Sequence, residues 1–247
     1  MHRFFVAPEL LQSETIQLPE KLAHQVRDVL HLAVGEQLLL LDNSGDEALC
    51  TVTRSGRKDV EVELIERRAG KPDSPVHIIL CQGLLKSARF EWILEKGTEL
   101  GVAVFAPILC RRSAPGLEDA GPGKRQRWQR ILQEATEQCG RARIPELHPI
   151  RPFTQALNDI PPGAVALIPW EEERDYSLRD ALKVIERREK KSPLTIVLFI
   201  GPEGGLLAEE VSQARQHGVQ PVTLGTRILR AETAALATVA SVMYELE

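Results

Sequence analysis

The stretch LFIGPEGGL, residues 198–206, decides how the rest of the chain is read. Leu198, Phe199 and Ile200 have the character of a buried strand end. They run into Gly201, Pro202, Glu203, Gly204 and Gly205, which cannot continue it. Glycines let a backbone come close to a flat ligand and present its amide and carbonyl groups to it. A second glycine-bearing loop, LGTRILRAET at 224–233, follows the next strand. In a parallel α/β sheet ligands sit beyond the carboxyl ends of the strands, where both loops fall. Neither the GxGxxG nor the GxxxxGK[ST] spacing of phosphate-binding loops occurs, and the first loop carries Glu203 instead of a lysine. A neutral or cationic ligand suits these loops better than a phosphate.

Working outward, strands alternate with helices. Residues 76–81, 102–109, 164–168, 194–200 and 219–224 read as buried strands. Phe90, Ile93, Leu94 and Gly97 mark one face of a helix that Gly101 ends. Trp128, Ile131, Leu132, Ala135 and Cys139 do the same for a second helix, with Gly140 as its stop. Further helices are expected at 177–189 and 208–217. A last one, from about Glu232, buries Leu236, Val239, Ala240 and Met243. The pattern predicts a mostly parallel sheet covered on both faces.

The first seventy residues have a different grammar. Runs 37–41, 47–53 and 59–65 are β-type, separated by turn signals at Asn43-Ser44-Gly45 and Ser55-Gly56. Leu22, Val26, Val29 and Leu30 predict one helix over 20–31, packed on that sheet. The Gly- and Pro-rich segment 70–75 reads as a linker, giving domains 1–72 and 73–247.

Composition is that of a soluble globular protein, with 247 residues, 43% hydrophobic and 27% charged. No run approaches the roughly 18 apolar residues of a membrane span. MHRFFVAPEL at the N-terminus has no long apolar segment, so no signal peptide is expected. Cys50, Cys81, Cys110 and Cys139 form no CxxC pair, which argues against a metal and for reduced thiols in the cytoplasm. The net charge of −4 conceals a basic stretch, Lys124, Arg125, Arg127, Arg130, Arg141 and Arg143, against Glu134 and Glu137. Such a patch holds phosphates or is a solvated face.

The two glycine loops, IGPEGGL at 200–206 and LGTRILRAETA at 224–234, resemble those of the RsmE family of 16S ribosomal RNA (uracil-N3) methyltransferases. The likeness spans the chain: HRFFV at 2–6, HQVRDVLHLAVGE at 24–36, KSARFEWILEKGTELGV at 86–102, RRS at 111–113 and EATEQCGRARIP at 134–145. The resemblance implies an α/β fold of the SPOUT class: a trefoil-knotted parallel-sheet domain preceded by a small PUA-like β-barrel that binds RNA. It implies a homodimer through the last helix, whose Ala234, Ala235, Ala237, Ala240 and Ser241 allow close approach. It implies S-adenosylmethionine (SAM) bound bent in the knot, against Phe199, Ile200, Gly201, Gly204, Gly205, Leu224, Gly225, Arg227, Ile228, Leu229, Arg230 and Thr233. The substrate would be 16S ribosomal RNA in the small subunit, with phosphates met by Arg3, Arg112, Lys124, Arg125, Arg127, Arg141 and Arg143. Three positions depart from the family: His31 replaces an arginine, Leu207 a helix-capping serine and Gly97 an alanine. Without the serine, the helix start should lose about 1 kcal/mol of capping.

Methylating N3 of uracil requires removal of an imide proton and stabilisation of charge on the flanking oxygens. Glu203, Glu232 and Arg230 are the candidates. Glu203 also suits a loop brace, and Glu232 suits the dipole of its helix. Arg230 is read as functional because an unpaired buried guanidinium would be costly. A SPOUT enzyme acting on ribose 2′-oxygen and a non-catalytic ribosome-assembly protein remain open alternatives.

Overall fold

A computed structural model describes residues 1–57, 59–116, 121–188 and 194–247. The chain forms two compact units, 1–73 with 136–144, and 74–135 with 145–247. The first therefore also takes in 136–144, a later segment that composition alone assigns to the second.

In the first unit, β1 (His2–Phe5), β2 (Thr15–Gln17), β3 (Gln37–Leu41), β4 (Asp46–Ser55) and β5 (Val60–Ala69) form one sheet in the order β1-β3-β4-β5-β2. Only β1 and β3 are parallel. β3 is apolar on both faces because both are covered: Leu38 and Leu40 meet the main core, while Leu39 and Leu41 meet Ala142. Register shifts along β4 and β5 bend that pair, as bulges do. Buried Glu47 is held by Arg3 and Arg68.

The expected helix over 20–31 is not one α-helix. α1 covers Glu20–His24, and Gln25–Val29 forms a π-helical turn. The wider turn breaks the 3.6-residue spacing, so Val26 is buried while Val29 is 59% exposed. His31 then takes a left-handed φ of 53°, a conformation in which histidine is enriched.

The second unit alternates as expected: β6 (Val76–Gly83), α2 (Ser87–Glu99), β7 (Val102–Leu109), α3 (Gly121–Cys139), short β8 (Glu146–Leu147) and β9 (Arg151–Pro152), α4 (Phe153–Asn158), β10 (Val165–Pro169), α5 (Leu178–Arg188), β11 (Leu194–Ile200), α6 (Ala208–Gln216), β12 (Gln220–Val222) and α7 (Ala231–Leu246). Residue 189, the expected end of the fifth helix, lies outside the described residues. All pairings are parallel, in the order β12-β10-β11-β6-β7-β8, with β9 also on β7. Central strands β6 and β11 are mostly apolar, His77, Gln82 and Thr195 excepted, because both faces are covered. Trp128 is 1% exposed and packs on Phe90 at 4.5 Å, a core residue as its helical spacing predicts.

Two departures from the family find local reasons. A Cβ on Gly97 would lie 2.9 Å from the Phe105 ring, so the glycine lets α2 lie close to β7. Leu207 offers no cap, yet Glu210 still accepts from the amides of Leu207 (2.9 Å) and Arg111 (2.8 Å). Half of the capping box survives.

The loop after β10 is folded around one carboxylate. Glu173 Oε1 accepts from the amides of Arg174, Asp175 and Tyr176, and Oε2 pairs with Arg215 at 3.0 Å. The Asp175 amide, chiefly, holds this carboxyl below its ordinary pKa. A lowered native pKa adds stability above the ordinary carboxylate range, which is lost as pH falls through the native value. Glu173→Gln should therefore lose about 1–3 kcal/mol at neutral pH. Urea unfolding at about pH 7 and about pH 3 should show that deficit narrowing in acid, and a pH-independent deficit would contradict the assignment.

Candidate active site

β11 ends at Ile200 in the middle of the sheet, and the GPEGG turn begins there. Close backbone accounts for Gly83 and Gly204, and a positive φ for Gly205. A Cβ on Gly83, at the end of β6, would lie 2.5 Å from the Pro202 nitrogen, and one on Gly204 would lie 3.0 Å from the Arg112 carbonyl oxygen. Gly205 has φ +74° and donates its amide to the Pro202 carbonyl at 2.9 Å, closing the turn. Arg112 Nη1 donates to the Gly204 carbonyl at 3.1 Å.

The second loop leaves β12 at the sheet edge. Thr223 lies against the segment after β10: its amide donates to Tyr176 O at 2.9 Å, and its carbonyl accepts from Leu178 N at 3.0 Å. The chain then reaches Arg230, the N-cap of α7. β10 lies between β11 and β12 and is parallel to both, so the loops after the three strands leave the same end of the sheet side by side. The loops after all three strands enclose a cavity of about 290 Å³.

Of the residues assigned to the cofactor, Ile200, Gly201, Gly204, Gly205, Leu224, Gly225, Arg227, Ile228, Leu229 and Arg230 line this cavity. Phe199 does not: it is fully buried and packs edge-on against Phe153 at 5.8 Å. A strand alternates its faces, so a residue next to the lining points into the core. Exposed Thr233 also lies outside the lining.

The three proposed chemical residues all line the cavity. Arg230 is exposed, so the argument from a costly buried guanidinium does not apply to it. Glu203 and Glu232 both face Arg89, at 2.8 Å to Nη1 and 3.7 Å to Nε. Glu232 Oε2 is buried and has no hydrogen-bond partner among the described residues.

Arg89 escaped the sequence reading, as did Trp170, Glu171 and Arg174, which line the cavity from the loop after β10. A cation in the first turn of α2 opposes the helix dipole, and that misfit was the available signal for Arg89. The loop after β10 carried no glycine signal.

The proposed RNA contacts divide into two groups. Arg3 is committed to Glu47, Arg125 to the carbonyls of Leu147 (2.7 Å) and His148 (3.3 Å), and Arg141 to Asp73 at 3.0 Å. Arg112, Arg127 and Arg143 are exposed, although Arg127 also pairs with Glu91 at 2.8 Å. Lys124 lies 5.1 Å from the centre of the Trp128 ring. Cys81 is a core thiol that burial pushes up to about 12, unsuited to act as a nucleophile.

The family described as an RNA methyltransferase domain matches residues 72–243. Ribosomal RNA small subunit methyltransferase E of Bacillus subtilis is 30% identical, covering 100% of this chain and 98% of its own length. The Synechocystis protein of the same name is 34% identical over 100% of this chain and 78% of its own. Among solved structures, the Neisseria gonorrhoeae ribosomal RNA small subunit methyltransferase E bound to S-adenosyl methionine has a TM-score of 0.85 at 30% identity, covering 99% of this chain and 97% of its own. A Legionella pneumophila structure in complex with SAM has a TM-score of 0.82 at 30% identity, covering 98% and 96%. Matched from end to end, with its two glycine loops meeting in one cavity, the chain belongs to the ribosomal RNA small subunit methyltransferase E family.

Proposed function

We propose that this chain transfers a methyl group from SAM to N3 of a uridine in the 16S ribosomal RNA of the small subunit. The observation that carries this reading is the cavity of about 290 Å³ walled by both glycine loops, with Arg230 and Glu232 at one side. The lining fits the cofactor. Gly201, Gly204 and Gly205 leave backbone groups bare for a nucleoside, and Glu171, Glu203 and Glu232 supply negative charge for a sulfonium and an ammonium.

When bound, the cofactor supplies a methyl group made electrophilic by the sulfonium. The chain has to present a uracil whose N3 has lost its proton. Glu232 Oε2 is an acceptor without a donor among the described residues, which suits it to take the N3 proton. Glu203, already hydrogen-bonded to Arg89, is the less available of the two carboxylates. Exposed Arg230 can reach the uracil oxygens on which negative charge develops. With the proton on Glu232, the N3 lone pair would be free to accept the methyl group that the cofactor supplies.

The path of the C-terminus supports the SPOUT trefoil knot. Thr223 is bracketed by Tyr176 and Leu178, and α7 then crosses back to pack on α2 and β6. In this reading the bent five-stranded sheet of the first unit is a PUA-like barrel that holds RNA. The small residues of α7 suit a homodimer. No helix among the described residues is long and apolar enough to cross a membrane, and work on ribosomal RNA would place the chain in the cytoplasm.

Glu232→Gln and Arg230→Ala should each slow single-turnover methyl transfer by about 10²-fold or more, while calorimetry shows SAM affinity little changed. Full turnover in both variants, or a loss confined to SAM binding, would return these residues to structural or cofactor-holding roles.

Reversing charge at Arg127 and Arg143 should weaken RNA binding and flatten its salt dependence with SAM binding intact. Arg3→Glu and Arg125→Glu should instead lower the melting temperature, because both guanidinium groups satisfy internal acceptors. Equal loss of RNA affinity in all four variants, without destabilisation, would contradict that division.

A further inference from the structure

Arg89 occupies the first turn of α2, where a positive charge opposes the helix dipole. Its half-exposed side chain reaches across the cavity mouth. Nη1 donates to Glu203 Oε1 at 2.8 Å, and Nε lies 3.7 Å from Glu232 Oε1. Glu203 belongs to the turn after β11, and Glu232 to the first turn of α7. One guanidinium thus ties three elements that are far apart in sequence. An ion pair at a side chain 43% exposed contributes little to global stability, so thermodynamic stapling is a poor account of this arrangement.

We propose that Arg89 is a positioning residue for methyl transfer, one that spans Glu203 and Glu232 and so fixes where Glu232 presents its unpartnered Oε2. The inference rests on the reading that Glu232 accepts the uracil proton. A planar guanidinium is suited to the task because its donors are fixed in a fork and can serve two carboxylates at once. Without it, two like charges face each other across the cavity mouth with no shared counter-charge, and both segments gain freedom to move apart. Lysine restores the charge at one point but not the span.

The test uses the full chain as wild type, Arg89→Ala, Arg89→Lys, Glu232→Gln and the Arg89→Ala/Glu232→Gln double variant. Amide hydrogen exchange, measured without SAM or RNA, should quicken in 201–206 and 231–235 of Arg89→Ala, with the melting temperature little changed. With SAM and small-subunit RNA, kcat of Arg89→Ala should fall roughly 10- to 100-fold, as for a misplaced reacting group. KM for RNA should stay near the wild-type value, and Arg89→Lys should recover part of the rate. The double variant should be no slower than Glu232→Gln alone, because Arg89 acts through that carboxylate. Unchanged exchange in both segments would overturn the proposal. So would a raised KM for RNA with kcat preserved, which marks a phosphate contact, or multiplicative losses in the double variant. Full turnover in Glu232→Gln would sink the reading of Glu232 instead, while the exchange measurement would still decide whether Arg89 holds the two segments.

Discussion

The site depends on how closely three stretches of backbone approach one another. The end of β6 passes so near the turn after β11 that a Cβ on Gly83 would lie 2.5 Å from Pro202 N. On the other side of that turn, Gly204 abuts the backbone of Arg112. The GPEGG turn is therefore clamped between β6 and the segment after β7, and side chains in these places would force the layers apart. With the turn fixed, Glu203 comes to the cavity mouth and backbone amides and carbonyls form one wall. The other wall comes from the C-terminal loop, which Tyr176 and Leu178 hold through Thr223.

Charge is organised on this backbone frame in a way that serves a cationic cofactor and a neutral base. Three carboxylates and four arginines line the cavity, but they are not equivalent. Arg89 is tied to Glu203 and Glu232, whereas Arg230 is exposed and the second oxygen of Glu232 lacks a partner among the described residues. A buried acceptor without a donor is costly, and such a cost persists where a ligand removes it. The imide N–H of uracil is a donor of the right kind. Cytosine, with a lone pair at N3, would be repelled by the same oxygen.

Much of the second unit was legible in the sequence, because long elements with strong periodicity report themselves. The runs at 102–109 and 194–200 appear as β7 and β11 with those same bounds. The two glycine loops stood out in the sequence because their glycines and Pro202 cannot extend a buried strand, and both loops line the cavity. What escaped was set by tertiary structure. The π-turn after α1 could not be seen in apolar spacing that also fits an α-helix. The commitment of Arg3 to buried Glu47 joins strands that are distant in sequence. Glu171 reaches the cavity because β10 lies between β11 and β12, and Arg89 because β6, the strand before its helix, lies beside β11; no local pattern encodes that order.

The central claim is that this cavity serves methylation of a single uracil at N3. The direct measurement is mass spectrometry of nucleosides from 16S ribosomal RNA of cells lacking the gene, with and without the wild-type chain restored. The account predicts that 3-methyluridine disappears at one position and returns with the wild-type chain but not with Glu232→Gln. An unchanged 3-methyluridine content, or loss of a ribose 2′-O-methyl group in its place, would contradict it.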